Sequence, residues 1–224
     1  MRPNARDPIA AWGSSADSAA ELAVYAAYAC FRLYNHHVAV LLTGFEPFGG
    51  HADNPSQLLV RELGERDDRV VVEYLPVSYA RAADQVIVAL RRLNPRALIL
   101  FGLAAGSSHL LLERVARNRD VSPAPDNDGE LRSGPIVADA PDTYHGSLPF
   151  AQMAALAGRV NEPARLSQDA GGYVCNHTYF RVAHHLAGRE PGTPCGFVHL
   201  PMMEPGSRRL KELASLVRAW IDIL

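Results

Sequence analysis

Val38-Ala39-Val40-Leu41-Leu42, running into Thr43-Gly44-Phe45-Glu46-Pro47-Phe48-Gly49-Gly50, is the stretch whose reading decides the fold. Five consecutive apolar residues are what a strand covered on both faces requires. A glycine-rich loop follows. Asn54-Pro55 then supplies a capping side chain and a first-turn proline, which predicts a helix to about Leu63. Strand, glycine loop and helix together open a parallel α/β sheet.

The same alternation continues outward. Val70 to Val77 reads as a second strand. Ser78 is placed to cap a helix whose Ala82, Val86, Ala89, Leu90 and Leu93 share one face. Ala97 to Leu103 is a third buried strand, stopping at Gly102 and Gly106. Residues 119–148 are rich in Pro, Asp and Gly, a long excursion of the kind that is functional or mobile. Phe150 to about Val160 resumes as a helix. Tyr179, Val182, Ala183 and Leu186 make a helical stripe after Cys175. Gly196 to Leu200 is a short strand stopped by Pro201, and a last helix starts near Ser207 with Leu210, Leu213, Val217, Trp220 and Leu224 on one face. The expected fold is a three-layer α/β/α sandwich around a mainly parallel (mixed) central sheet, in a single domain.

That domain is expected over residues 38–224. Residues 1–37 differ: a polar start, an alanine-rich run and His36-His37. They read as an N-terminal extension, helical or loosely attached, with Val38 or Val40 as the natural start. Ala19 to Tyr34, the most apolar part of it, is broken by Glu21 and Arg32 and lacks a cleavage site, so it reads poorly as a signal peptide. No stretch has the apolar length of a membrane helix.

At 224 residues the chain is long enough for one sizeable core. A net charge of -2, with basic residues scattered, gives no reason to expect nucleic acid or an anionic membrane as partner. Cys30, Cys175 and Cys195 contain no CxxC pair, which argues against zinc and disulfide frameworks and points to a reducing, cytoplasmic setting.

Cys175 lies in Gly171-Gly172-Tyr173-Val174-Cys175-Asn176-His177, where the glycines and the helical stripe beyond suggest a strand end passing into a helix start. A thiol attacks as a thiolate, a form that a helix N-terminus or a nearby imidazole favours. His199 ends a strand before Pro201, and active sites of open α/β sheets gather at strand carboxyl ends. Glu113, a charge within Leu111-Leu112-Glu113-Arg114-Val115, could hold the histidine tautomer as a triad acid does. The backbone N–H of Cys175 is a natural oxyanion donor. A plainer reading stands beside this one: a small buried thiol, a structural histidine, and Glu113 paired at the surface with Arg114 or Arg117. Cys30 and Cys195 read as structural, and His184-His185 as the outer face of their helix.

Four blocks resemble the pyroglutamyl peptidase I (pyrrolidone-carboxylate peptidase) family. They are Thr43 to Gly50 with Asn54-Pro55-Ser56; Glu113-Arg114-Val115-Ala116 with Asn118 and Pro125-Asp126-Asn127; Ser167, Ala170-Gly171 and Tyr173 to His177; and Gly196 to Pro201. They span roughly residues 38–203 in the family's order. The resemblance implies a cysteine exopeptidase that removes N-terminal 5-oxoproline, with Cys175 as nucleophile, His199 as general base and then acid, and Glu113 as orienting carboxylate. It implies Phe45, Phe48, Tyr173 and Val174 around the oxoproline ring, with the loop near Asn54 offering polar partners. No metal or cofactor is implied, and a homodimer or homotetramer is. The departures are Leu103 for the family's usual glutamine, Ser107 where an arginine is usual, Pro123-Ala124 for Arg-Ile, and a shorter connection after His199. These leave room for a related N-acyl amide hydrolase with an altered pocket, or a non-catalytic binder of blocked peptide N-termini.

Overall fold

In the computed structural model, which describes residues 39–189 and 192–224, the opening run becomes strand β1, Val40–Phe45, buried at every position. The expectations for residues 1–37, including the start site, the helical run and the role of Cys30, lie outside the described residues. Helix α1, Pro55–Gly64, begins as the sequence predicts. Asn54 is its N-cap, its side chain accepting from the Ser56 N–H at 3.0 Å, and Pro55 occupies the first turn. β1 is extended by two strands that the excess of β-branched and aliphatic residues also predicts: β2, Val70–Leu75, and β3, Ala97–Leu103.

Helix α2, Ala82–Leu93, starts later than the Ser78 cap implied. Arg81 stands at the cap position, and Ser78 instead closes the turn before it, its Oγ accepting from Arg81 N at 3.2 Å. The long excursion proves to be ordered by short pairings. After β4, Leu110–Glu113, strand β5, Val115–Arg117, pairs antiparallel with β8, Thr143–His145; between them β6, Asp120–Val121, pairs with β7, Ser133–Gly134. Asn118 adds a polar pin, accepting from the N–H groups of Ile136 and Val137 and donating to Val137 O. Its composition is that of a loop because its partners are side chain to backbone rather than a periodic core face.

Helix α3, Phe150–Arg159, and strand β9, Ala164–Ser167, lead to helix α4, Val174–Leu186. Strand β10, Cys195–Leu200, and helix α5, Arg208–Ile221, capped by Ser207, complete the domain. The six-stranded sheet runs β2-β1-β3-β10-β4-β9. All its neighbours are parallel except β10 and β4, so the mainly parallel mixed sheet is observed.

Strand alternation sorts the core into two layers. Val40, Leu42, Ile99, Phe101, Val198 and Leu200 face α1, α3 and α5, while Leu41, Phe45, Leu98, Leu100, Cys195 and Phe197 face α2 and α4. The close seat of α1 needs a glycine, since a side chain at Gly44 would run into the Ser56 carbonyl. The parallel strands β1, β3 and β10 end at Phe45, Leu103 and Leu200, and this carboxyl rim carries the site.

Candidate active site

Cys195, Phe197 and His199 alternate along β10 onto the α4 face. Antiparallel β4 sets Glu113 opposite Phe197, so Glu113 and His199 are diagonal neighbours on one face. Their side chains meet: His199 Nδ1 donates to Glu113 Oε1 at 2.9 Å. Glu113 is fully buried and His199 is 7% exposed, which removes the reading of Glu113 as a surface partner of Arg114 or Arg117. The pair rests on Phe197, whose ring centroid is 4.7 Å from that of His199.

With Nδ1 committed to Glu113, the other ring nitrogen is left for the thiol of Cys175. Burial alone would lower the His199 pKa. Hydrogen bonds and charge from Cys175 and Glu113 outweigh it and raise the pKa to about 9. A raised pKa favours the imidazolium form, the partner that a thiolate needs.

Cys175 is partly exposed and is the second residue of α4, so its N–H belongs to the first turn, where helix N–H groups have no intrahelical acceptor. The expected direct passage from strand to helix is corrected here. Residues 168–173 separate β9 from α4, turned by Gly171 at φ +82° and by its N–H bond to Asp169. The thiol lies over β3 where no side chain intervenes. A Cβ on Gly102 would fall 2.9 Å from Cys175 Sγ and 2.7 Å from the Phe197 ring. Cys195, by contrast, is buried, and desolvation pushes its thiol up to about 12, consistent with a structural residue. His184 is exposed as expected; His185 is only half-exposed, and burial lowers its pKa.

A small recess lies beside the thiol, lined by Phe45, Phe48, Asn54, Val77, Leu103, Tyr173, Val174 and Cys175. All five residues expected to bind substrate are therefore brought to the cysteine. Phe48 and Tyr173 tilt against each other with centroids 5.9 Å apart. Asn54 takes part as a fixed wall: its oxygen accepts from Ser56 N and Oγ, and its nitrogen donates to Glu46 O. Of the departures, Leu103 lines the pocket, whereas Ala124 is exposed and is not among the lining residues.

Sequence reasoning missed the residues that hold this pocket open. Asp126 accepts from the N–H groups of Tyr79, Asp128 and Glu130. Asn127 donates to Glu46 Oε1 and Pro47 O, and Glu46 Oε1 also accepts from Val77 N. Tyr173 OH donates to Pro125 O at 2.8 Å, tying the helix entrance to the same loop. Asn176, beside the cysteine, accepts from Arg117 N and donates to Arg117 O and Arg119 O. A second buried pair, His177 Nδ1 to Asp120 Oδ2 at 2.9 Å, locks α4 to β6. Asp120 carried no signal in the sequence; for the others the only signal was their presence in the quoted blocks. Among the described residues no cluster of His, Cys, Asp and Glu has the makings of a metal site, and no helix is long and apolar enough to cross a membrane.

A family model described as pyroglutamyl peptidase matches residues 38–212. A pyrrolidone-carboxylate peptidase of Clavibacter michiganensis is 42% identical over 166 residues, 72% of this chain and 78% of its own. One from Gloeobacter violaceus is 37% identical over 181 residues, covering 79% and 88%. Among solved structures, a mutant pyrrolidone carboxyl peptidase of Pyrococcus furiosus superposes with a TM-score of 0.74 at 30% identity, covering 83% of this chain and 97% of its own. Pyroglutamyl peptidase I of Bacillus amyloliquefaciens gives the same TM-score at 28% identity, covering 81% and 92%.

Proposed function

The chain belongs to the pyroglutamyl peptidase family, and from that premise we propose that it is a cysteine exopeptidase releasing N-terminal pyroglutamate (5-oxoproline) from peptides through Cys175, His199 and Glu113. The observation that supports the reading is the buried His199–Glu113 hydrogen bond at the sheet rim, with the Cys175 sulfur lying over Gly102, the register partner of His199, and an apolar recess beside that sulfur.

The chemistry follows from the geometry. The oxoproline ring enters between Phe45, Phe48, Tyr173 and Val174, bringing its exocyclic acyl carbon to Cys175 Sγ. The thiol proton passes to the free nitrogen of His199 as sulfur attacks. Glu113, bonded to the other nitrogen, stabilises the imidazolium and fixes its tautomer. The oxyanion develops against the first-turn N–H groups of α4, Cys175 N–H among them. Collapse breaks the amide C–N bond, and the imidazolium gives its proton to the departing amine. Water, deprotonated by His199, then attacks the thioester carbon; the C–S bond breaks, 5-oxoproline leaves and sulfur recovers its proton.

The peptidase domain in this reading is residues 38–224, with residues 1–37 as an extension outside it. A reactive free thiol suits a reducing compartment, so a cytoplasmic location is part of the proposal; a homodimer or homotetramer enters it from the family resemblance alone. The test is a pyroglutamyl aminomethylcoumarin amide assayed on wild type and Cys175→Ala in parallel. Wild type releases the fluorophore and Cys175→Ala does not. Release by the alanine variant at the wild-type rate would sink the assignment of Cys175.

A further inference from the structure

The recess beside the sulfur has two aromatic walls that come from distant parts of the chain. Phe48 stands in the loop after β1, and Tyr173 stands at the entrance of α4. Their ring centroids are 5.9 Å apart. Neither wall is fixed by an element of its own: Gly49 and Gly50 follow Phe48 with φ of +61° and +80°, and Tyr173 precedes the first helical residue. One short segment ties them together. At one end the Asn127 amide holds the Phe48 loop, Nδ2 donating to Glu46 Oε1 at 2.9 Å and to Pro47 O at 3.0 Å. At the other end Tyr173 OH donates to Pro125 O at 2.8 Å. Between these ends the segment is anchored. Asn127 N donates to Val77 O, and the buried Asp126 carboxylate accepts from the N–H groups of Tyr79, Asp128 and Glu130.

Asn127 and Pro125 are themselves exposed, so the two outer links bury little apolar surface and add little to the core. What they govern is the spacing of the walls they join. Resting on the function proposed above, we propose that Pro125-Asp126-Asn127 is a brace limiting how far Phe48 and Tyr173 can part, and that Asn127 is thereby a positioning residue that sets the largest acyl ring the site accepts. A five-membered lactam fits between the braced walls. A lactam with one more methylene needs them further apart, and one methylene in a close-fitting apolar site is worth roughly 10–200-fold. Breaking either end of the brace frees the same gap. The two ends therefore act as one device, and their effects should not add as those of independent sites do.

The experiment compares kcat/KM for the pyroglutamyl aminomethylcoumarin amide and for its homologue with one more ring methylene, in wild type, Asn127→Ala, Tyr173→Phe and the double variant. Wild type is expected to favour the smaller ring by roughly 10–200-fold. Each single variant is expected to narrow that ratio by roughly threefold or more, the worth of one hydrogen bond, with KM for the pyroglutamyl amide rising more than kcat falls. The double variant is expected to narrow it no further than the stronger single one. A loss of stability alone lowers activity on both rings alike, so the ratio reads the brace and not the fold. A ratio left unchanged by the folded single variants overturns the inference, as does a larger ring that no variant cleaves. So does a double variant whose narrowing is the product of the two single ones, since the walls would then move independently. If Asn127→Ala fails to fold, Tyr173→Phe decides by the same ratio. Cleavage of the pyroglutamyl amide by wild type with an unchanged ratio in the variants defeats the inference and leaves the proposed function standing; cleavage of neither amide by wild type defeats both.

Discussion

The molecule builds one buried pair twice. His199 Nδ1 meets Glu113 Oε1 at 2.9 Å, and His177 Nδ1 meets Asp120 Oδ2 at the same distance. All four side chains are buried, and each pair joins residues far apart in sequence. What differs is the second ring nitrogen. That of His199 stands at the carboxyl rim of the sheet and is left to the Cys175 thiol; His177 Nε2 is enclosed without any partner, under the edge of Tyr79 at 5.1 Å. An imidazole–carboxylate pair is therefore not a catalytic unit in itself. It becomes one where a nucleophile and an open pocket meet its free nitrogen, and it is a structural clasp where nothing does.

The contrast breaks hardest at His199. His199→Ala is expected to lower kcat by roughly 10⁵-fold or more, as loss of a triad base does elsewhere. Single-turnover assays read against circular dichroism of the folded variant check it; activity within a hundredfold of wild type would mean His199 is no more a participant than His177. Glu113→Gln comes next. The amide keeps the shape but cannot balance an imidazolium, and a loss of roughly 10³–10⁴-fold in kcat is expected. A tenfold loss or less would reduce Glu113 to packing.

The third effect is on stability and has a definite sign. His199 has a folded-state pKa of about 9 against an ordinary 6.5, so the folded protein holds this proton more tightly than the unfolded chain. Its contribution is fully present below about pH 6.5 and is lost as pH rises through about 9, with a ceiling of roughly 3 kcal/mol. Urea unfolding across that window measures it. Cys175→Ala removes a partner that raises the pKa, so its stability should depend less on pH. An equal slope in wild type and Cys175→Ala would show that the thiol contributes nothing to holding the proton.

The rim was legible in the sequence and its support was not. β1, β3 and β10 are buried on both faces, and residues such as Leu41, Ile99 and Val198 announce this as continuous apolar runs. Cys175, His199 and Glu113 were found because each sits in a block with its own local pattern. Asp120, Asp126 and Asn118 lie in a segment of loop-like composition, and their partners are reached across the fold: His177 from Asp120, Tyr79 from Asp126. Such bonds leave no periodicity to read. The ordering of residues 119–148 was invisible for the same reason, as was the need for Gly102 beneath the thiol, which depends on how closely α4 approaches β3.

The smallest effect on chemistry, and the sharpest separation of the two pairs, is expected from His177→Ala. The variant strips a buried carboxylate of its donor and opens a gap under Tyr79, so stability should fall by roughly 1–3 kcal/mol. The reacting atoms keep their partners, because His199, Glu113 and the sulfur are held by β10, β4 and the first turn of α4, and Asn176 still fastens that turn to Arg117 and Arg119. Well below the unfolding midpoint, kcat/KM should therefore remain within about tenfold of wild type while the urea midpoint drops. A thousandfold loss of kcat in a variant of unchanged midpoint would reverse the assignment, placing His177 in the chemistry and dissolving the distinction between clasp and catalyst. The tenfold allowance covers what a clasp two residues from the nucleophile can do: let the first turn of α4 wander from His199 without altering what happens when the two meet.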